Sequence, residues 1–165
     1  IRDRDTMALM HIVPGLDEVS SEKAIAVLQN RLSHEQEAAL VLKHAHWNVT
    51  GPDFIAVHEM LDPQVSEVLA QADETAERIA TLGGSPSGRA DDIVASRTWK
   101  RFSLSGRKST KEYLQALIEY YNDMIADDRN AIAQLDNLDI VSSNIIQDHV
   151  QQLEKFQWFM RSHLE

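Results

Sequence analysis

The chain has 165 residues, enough for one compact domain with an apolar core. It carries 16 basic and 26 acidic residues, a formal charge of −10, so its body attracts cations and repels nucleic acid and anionic membranes. It contains no cysteine, which excludes disulfides, thiolate catalysis and sulfur-ligated metals. No apolar run reaches the roughly 20 residues of a membrane span. We therefore expect a cytoplasmic protein without a membrane partner.

The first 19 residues show no sustained periodicity. Arginine and aspartate alternate near their start, and Pro14 and Gly15 signal a turn. We interpret residues 1–19 as an N-terminal arm in front of a single domain at residues 20–165.

The first helix is predicted from Ser20 or Ser21, either of which can serve as an N-cap, to about Val49. Its apolar residues recur at steps of three and four, the spacing of helices that pack in bundles. Two positions in this seam are polar, Glu35 and His46. Such a seam histidine is commonly a hydrogen-bonded core residue, so a ligand role for His46 needs further support.

The second helix is predicted from about Pro52 to Leu82, ahead of two glycines. Pro63 lies inside it, where it should bend the helix without ending it, because the periodicity continues beyond it. The apolar residues that should face the core are Leu61, Val65, Val68, Ala72, Ala76 and Ile79.

The rest of the chain predicts two more long helices, from about Ser109 to Leu135 and from Ser142 or Ser143 to Leu164. A long connection at residues 83–108 precedes them, and its segment "ADDIVAS" is predicted to form one short helix. No alternating strand pattern is present. The predicted fold is all-α: a four-helix bundle with a short extra helix between helices 2 and 3.

The second helix aligns four potential metal ligands, His58, Asp62, Asp73 and Glu77, within about 100° of its circumference. The midpoints of the two pairs are about 22 Å apart along the axis, so one chain cannot bring both pairs to one ion. Acids at this spacing commonly form only a solvated face. If two copies of the helix meet antiparallel about a two-fold axis, however, the first pair of one copy faces the second pair of the other.

His46 lies near the end of the first helix, where it can converge with His58. Two imidazoles and three carboxylates suit a divalent first-row metal such as iron, but their affinities alone do not exclude zinc or manganese.

These residues stand in the segments "LKHAHWNVTGPDFIAVHEMLD" and "DETAERIATLGG", which resemble the Dps family, the DNA-binding proteins from starved cells or mini-ferritins. The resemblance extends from about residue 20 to the end of the chain. It implies a ferritin-like bundle, a hollow dodecamer built from two-fold dimers, and ferroxidase sites shared between subunits. No Glu-x-x-His pair occurs, so a conventional di-iron site within one subunit is not expected.

By this resemblance, His46, His58 and Asp62 of one subunit and Asp73 and Glu77 of its partner bind and oxidise iron. The implied oxidant is hydrogen peroxide, with dioxygen acting more slowly, and the product is a stored ferric mineral that spares DNA from oxidative damage. Two alternatives stay open: a nucleoid-associated, DNA-binding shell whose metal site is mainly structural, and a helical oligomer that binds zinc or manganese without redox chemistry.

Two neighbours of His46 are further candidates. Trp47 is either a packed aromatic residue or, as the resemblance implies, an electron or radical sink beside the site. Lys43 is interpreted as a salt-bridge partner or surface residue beside the metal ligands, not as a ligand itself.

Two charged segments remain. An acidic group near the end of the third helix is either solvated surface or the lining of a cation pore, and comprises Asp123, Asp127, Asp128, Asp136 and Asp139. The N-terminal arm is nearly neutral, so it does not indicate DNA binding. Residues 97–111 form the only basic stretch, which would support weak DNA binding if it were repeated over an oligomer.

Overall fold

The computed structural model describes residues 8–165. The start of the predicted arm, with its alternating arginines and aspartates, lies outside the described residues. The described part contains five helices and one pair of two-residue strands. In chain order these are α1 (Glu18–Asn48), β1 (Val49–Thr50), α2 (Phe54–Thr81), α3 (Ala90–Ser96), β2 (Lys108–Ser109), α4 (Thr110–Leu135) and α5 (Ile140–Ser162). None of these helices is both long and apolar enough to cross a membrane.

The start of α1 differs from the prediction. Its N-cap is Asp17, whose carboxylate accepts a 2.8 Å hydrogen bond from the backbone N–H of Ser20. The Ser20 hydroxyl donates to the same carboxylate instead of capping the helix. An aspartate three residues upstream therefore takes the capping role that we assigned to serine, and the helix begins earlier.

The same correction applies to α5. Asp139 accepts hydrogen bonds from the backbone N–H groups of Val141 and Ser142, so the helix begins at Ile140. The start of α4 agrees with the prediction, because the side chains of Ser109 and Glu112 form a reciprocal capping box. The short helix α3 occupies the predicted segment.

Helix α2 begins at Phe54, after a turn closed by a hydrogen bond from its N–H to the carbonyl of Gly51. It continues through Pro63, as predicted. Its predicted core residues are buried except for Ala76, which is partly buried against the same core.

The strand pair was not predicted. Val49 pairs with Lys108 and Thr50 with Ser109 in parallel, and the Thr50 hydroxyl donates to the Lys108 carbonyl at 3.0 Å. Two residues are too few to produce an alternating pattern in the sequence. The pair joins the end of α1 to the start of α4.

The core of the bundle is divided into two apolar clusters. One lies around the second half of α1 and the first half of α2, and the other around the opposite ends of these helices. Buried polar side chains from all four long helices lie between them. We call this group the polar layer: Arg31 and Glu35 on α1, Thr75 on α2, Asp128 on α4 and His149 on α5.

The long connection is fastened to the bundle by Glu37 of α1. Its carboxylate accepts a 2.7 Å hydrogen bond from the Arg97 guanidinium, a hydrogen bond from the Trp99 indole and a 2.9 Å hydrogen bond from the Tyr120 hydroxyl. A single buried carboxylate thus ties α1, α4 and the segment after α3 together.

Candidate metal site

Two histidines meet where α1 ends and α2 begins. His46 lies in the last turn of α1 and His58 in the second turn of α2. Gly51, with φ +118°, lies in the turn that reverses the chain between them. The two imidazole rings stack with centroids 3.6 Å apart and planes 17° from parallel.

The histidines are fixed by reciprocal hydrogen bonds to the backbone. Nδ1 of His46 donates to the carbonyl of His58 at 2.6 Å, and Nδ1 of His58 donates to the carbonyl of His46 at 2.8 Å. Because a carbonyl oxygen only accepts, both Nδ1 atoms carry the proton. In the neutral rings Nε2 then holds the free lone pair, an arrangement that is typical of histidines that bind metals.

Asp62, one turn after His58, adds a carboxylate. Its Oδ1 lies 3.6 Å from Nδ1 of His46 and accepts a 2.6 Å hydrogen bond from the Lys43 ammonium. This hydrogen bond holds the pKa of Asp62 below its usual range, with smaller contributions from the nearby histidines. Lys43 is therefore a salt-bridge partner of the candidate ligand.

The site lies at the surface of the chain. His46 is buried and His58 half-buried, with the Phe54 ring 4.9 Å from His58 between centroids. The Asp62 side chain is 51% exposed, and Trp47 is 68% exposed. Trp47 is thus not packed within its own chain, although it adjoins the site.

The structure does not bring the other two predicted ligands to this site. Asp73 and Glu77 are exposed on α2, about 22 Å along the axis from the first pair. Within residues 8–165, their carboxylates accept no hydrogen bond and form no ion pair. No three histidine or acidic side chains in the described part are grouped so that they could hold one metal ion.

The α2 surface between the two pairs is exposed and free of charge at Ser66, Leu69 and Ala70. Exposed large apolar side chains also occur on α1, at the start of α2 and on α3. Those on α1, α2 and α3 are Val19, Leu40, Trp47, Ile55, Leu69 and Val94.

Comparison with known proteins decides the family. A model of the ferritin-like domain matches residues 25–165. The DNA protection during starvation protein of Mycolicibacterium smegmatis is 48% identical over 153 residues, which cover 93% of this chain and 83% of that protein. The chain belongs to the Dps family.

Solved structures agree with this assignment. The tetragonal form of Mycobacterium smegmatis Dps has a TM-score of 0.91 at 48% identity, with 94% of each chain covered. DpsA14 from Streptomyces coelicolor has a TM-score of 0.92 at 41% identity, with 96% of this chain and 95% of that chain covered. The predicted family and ferritin-like bundle are confirmed. In general terms, membership in the Dps family supports iron storage, DNA protection and assembly as a homo-oligomer.

The five aspartates predicted as a pore lining in this Dps family member differ in burial and in their ion pairs. Asp128 is 2% exposed and binds Arg31 at 2.7 Å. Asp139 caps α5 and binds Arg78 at 2.7 Å. Both carboxylates are therefore engaged inside the chain and are poor candidates for lining a pore. The remaining members, Asp123, Asp127 and Asp136, are exposed or partly exposed.

Sequence reasoning missed two features of the site. The reciprocal histidine contacts involve backbone carbonyls, which leave no signal in side-chain identity. The contact of Phe54 with His58 has a weak signal, because the two residues are four apart and so lie on one face of the helix.

Proposed function

We propose that this Dps family member is a ferroxidase. It binds Fe(II) at sites shared between two subunits, oxidises it with hydrogen peroxide and, more slowly, with dioxygen, and stores the ferric product in a dodecameric cage. The observation that carries the proposal is the reciprocal bonding of His46 and His58 through Nδ1, which leaves the Nε2 lone pairs of both imidazoles free for a metal. These donors suit iron, and zinc or manganese could take its place.

The partner subunit supplies the remaining ligands in this proposal. Two α2 helices crossing antiparallel near residues 67 and 68 would set His58 and Asp62 of one chain opposite Asp73 and Glu77 of the other. The exposure of all three carboxylates supports this arrangement. So does the uncharged surface between the pairs, which permits close approach of the helices.

The chain's own residues contribute binding and proton control. Asp62 turns from Lys43 to bind the metal, which releases the ammonium. Two Fe(II) ions together supply the two electrons that hydrogen peroxide accepts, and two protons complete its reduction to two water molecules. Because a protonated Nε2 has no lone pair, Fe(II) oxidation falls when the solution is acidified.

Trp47 and the exposed acids have secondary roles in the proposal. Trp47 donates an electron when only one iron is bound, so that peroxide is still fully reduced. Asp123, Asp127 and Asp136 attract Fe(II) toward a pore between subunits.

The direct test replaces the histidine side of the site. The triple variant His46→Gln, His58→Gln, Asp62→Asn should lose most peroxide-driven Fe(II) oxidation, followed by optical absorbance. His163→Gln is the control, because His163 is exposed near the end of α5 and, among the described residues, its ring bonds only to the carbonyl of Phe159 one turn earlier. An unchanged rate in the triple variant would refute the assignment.

A mixing experiment tests whether the site is shared. One variant carries His58→Gln with Asp62→Asn, and the other carries Asp73→Asn with Glu77→Gln. Each alone should be inactive. Co-assembled, each mixed dimer regains one intact site of its two, so activity should return. If mixed assemblies stay inactive while both variants form oligomers, the ligands do not come from two subunits.

DNA binding is a second candidate. The basic side chains Lys100, Arg101, Arg107, Lys108 and Lys111 are exposed. Repeated over an oligomer, they would bind phosphates weakly and in a salt-dependent manner. A gel shift across salt concentrations tests this, with Lys100→Glu and Arg101→Glu together as the variant that should abolish it.

A further inference from the structure

The polar layer lies between the two apolar clusters of the bundle. On α1, α2, α4 and α5 alike, residues of one apolar cluster precede it and residues of the other follow it. Every long helix contributes a polar side chain to it, and those side chains are almost completely buried. Buried charges are costly unless they are paired, so the protonation states within the layer affect the packing of all four helices.

His149 of α5 lies between two carboxylates. Its Nδ1 lies 3.2 Å from Oε1 of Glu35 on α1, and its Nε2 lies 2.7 Å from Oε2 of Glu74 on α2. Because ionised carboxylates only accept hydrogen bonds, both ring nitrogens must carry protons to make both bonds. The geometry therefore corresponds to a positively charged imidazolium, although the His149 side chain is only 3% exposed.

The remaining charges of the layer balance only when His149 is charged. Arg31 of α1 pairs with Asp128 of α4, which leaves the imidazolium of His149 as the cation for buried Glu35. Glu74 faces His149 from α2, but its side chain is 64% exposed and water can solvate it.

Glu35 depends on this cation. Thr75 donates a 3.0 Å hydrogen bond to Oε1 of Glu35, but Oε2 is buried without a hydrogen-bond partner among the described residues. Loss of the His149 proton would leave this buried carboxylate with one neutral hydroxyl and at most one neutral imidazole N–H as donors.

We propose that His149 is a buried pH sensor: its proton holds α5 against α1 and α2, and the loss of this proton as pH rises loosens the bundle at the polar layer. The groups that face it are Glu35 and, in the same layer, Arg31 from α1, Glu74 from α2 and Asp128 from α4. The inference does not depend on metal binding.

The pKa of His149 has the direction that this role requires. Burial alone would lower it, but the hydrogen bonds and charges of Glu35 and Glu74 outweigh burial and raise it above its ordinary value of 6.5. A group whose pKa is higher in the folded state stabilises the fold fully below its unfolded pKa. That stabilisation is lost as pH rises through the folded pKa. His149 should thus stabilise the bundle up to about pH 6.5 and progressively less at higher pH.

Asp128 acts over a lower pH range. Burial raises its pKa from 3.8 to about 6, against the opposing effect of Arg31. The contribution of Asp128 to the stability of the fold also declines as pH rises, but that decline ends soon above pH 6. A loss of stability between pH 6.5 and about pH 9 therefore reports on His149, because burial raises the pKa of Tyr120 and Tyr121 above 10 and their effect on stability begins only near pH 10.

The experiment measures thermal unfolding of the metal-free protein from pH 6.5 to about pH 9, at one protein concentration and ionic strength. The wild-type midpoint should fall by a few degrees as pH rises. His149→Gln keeps a hydrogen-bond donor but cannot titrate, so its midpoint should depend less on pH. His163→Gln, which changes an exposed histidine of the same chain, should follow the wild-type slope.

Two further measurements secure the result if His149→Gln does not fold. Glu35→Gln removes the charge that retains the proton, so it should also flatten the pH dependence. In the wild-type protein, amide hydrogen exchange in α5 around His149, corrected for the intrinsic effect of pH, should accelerate on going from pH 6.5 to alkaline pH. Equal slopes in wild type and the folded variants, or unchanged protection of α5, would overturn the proposal.

Discussion

The ammonium of Lys43 and the carboxylate of Asp62 form a 2.6 Å ion pair at the rim of the candidate metal site. The pair uses the oxygen that also lies closest to His46. A metal ion that binds Asp62 must therefore compete with the ammonium group for this carboxylate. Lys43 thereby weakens the binding of a cation and balances the charge of Asp62.

Removing this competitor should strengthen metal binding. In Lys43→Met, we expect Zn(II), used as a redox-inactive probe, to bind more tightly by a few-fold at most, because exposed ion pairs contribute little. Isothermal titration calorimetry measures the change. Lys111→Met, at an exposed position on α4, is the matched control and should leave the affinity unchanged. Equal or weaker binding by Lys43→Met would show that the lysine does not compete with the metal.

The buried pair of Arg31 and Asp128 should be costly to break. Both side chains are 2% exposed and their closest atoms are 2.7 Å apart. Arg31→Met leaves an unpaired buried carboxylate, so we expect a loss of about 3–5 kcal/mol in the free energy of unfolding. Denaturant unfolding at a fixed protein concentration measures it.

The double variant Arg31→Met, Asp128→Leu separates the charge effect from packing. Replacing both partners with apolar side chains removes the unpaired charge, and the double variant should recover most of the lost stability. If it is no more stable than Arg31→Met, the cost arises from lost packing and hydrogen bonds to neighbours such as Asn30.

Periodicity in the sequence predicted the helices well because helix packing imposes a regular spacing on apolar residues. It also predicted that α2 continues through Pro63. The predicted serine starts of α1 and α5 were wrong, because several neighbouring polar residues can cap a helix and only the folded backbone selects Asp17 and Asp139. The sequence marked Glu35 as an unusual polar seam position, but its partner His149 is 114 residues away on another helix. Long-range pairing of this kind leaves no local pattern.

The same limit applies to the candidate metal site. Spacing on one helix placed His58 and Asp62 together, and the helix ends predicted their approach to His46. The orientation of the imidazoles depends on backbone carbonyls and could not be predicted from side-chain identity.

Glu37 should control how firmly the long connection is held. Its replacement by alanine leaves the Arg97, Trp99 and Tyr120 donors without their common acceptor, two of them largely buried. We expect trypsin to cleave the connection at Lys100 or Arg101 several-fold faster.

A surface pair provides the control for Glu37. Glu154 binds Arg129 between α5 and α4, and both side chains are well exposed. Glu154→Ala should leave the cleavage rate near that of wild type. Equal rates in Glu37→Ala and Glu154→Ala would mean that the connection is retained by its apolar contacts alone.

Gly83 should tolerate substitution less than another glycine with a similar backbone. It has φ +89°, and a Cβ atom there would lie 2.3 Å from the carbonyl oxygen of His11. That backbone is held in place, because Met10 donates its N–H to the Gly83 carbonyl at 2.8 Å and the His11 ring donates to the Thr81 carbonyl at 2.7 Å. Gly83→Ala therefore combines backbone strain with displacement of the segment that precedes α1.

A substitution at Gly106 measures the cost of backbone strain without a steric clash. Its φ is +74°, and a Cβ atom there would meet nothing within 4 Å. Gly106→Ala should cost about 1–2 kcal/mol of unfolding free energy from strain alone, and Gly83→Ala should cost clearly more. Denaturant unfolding compares the two variants, and proteolysis near His11 should accelerate only in Gly83→Ala. Similar costs for both would mean that the segment before α1 moves away freely, so that its contact with the end of α2 contributes little to the stability of the bundle.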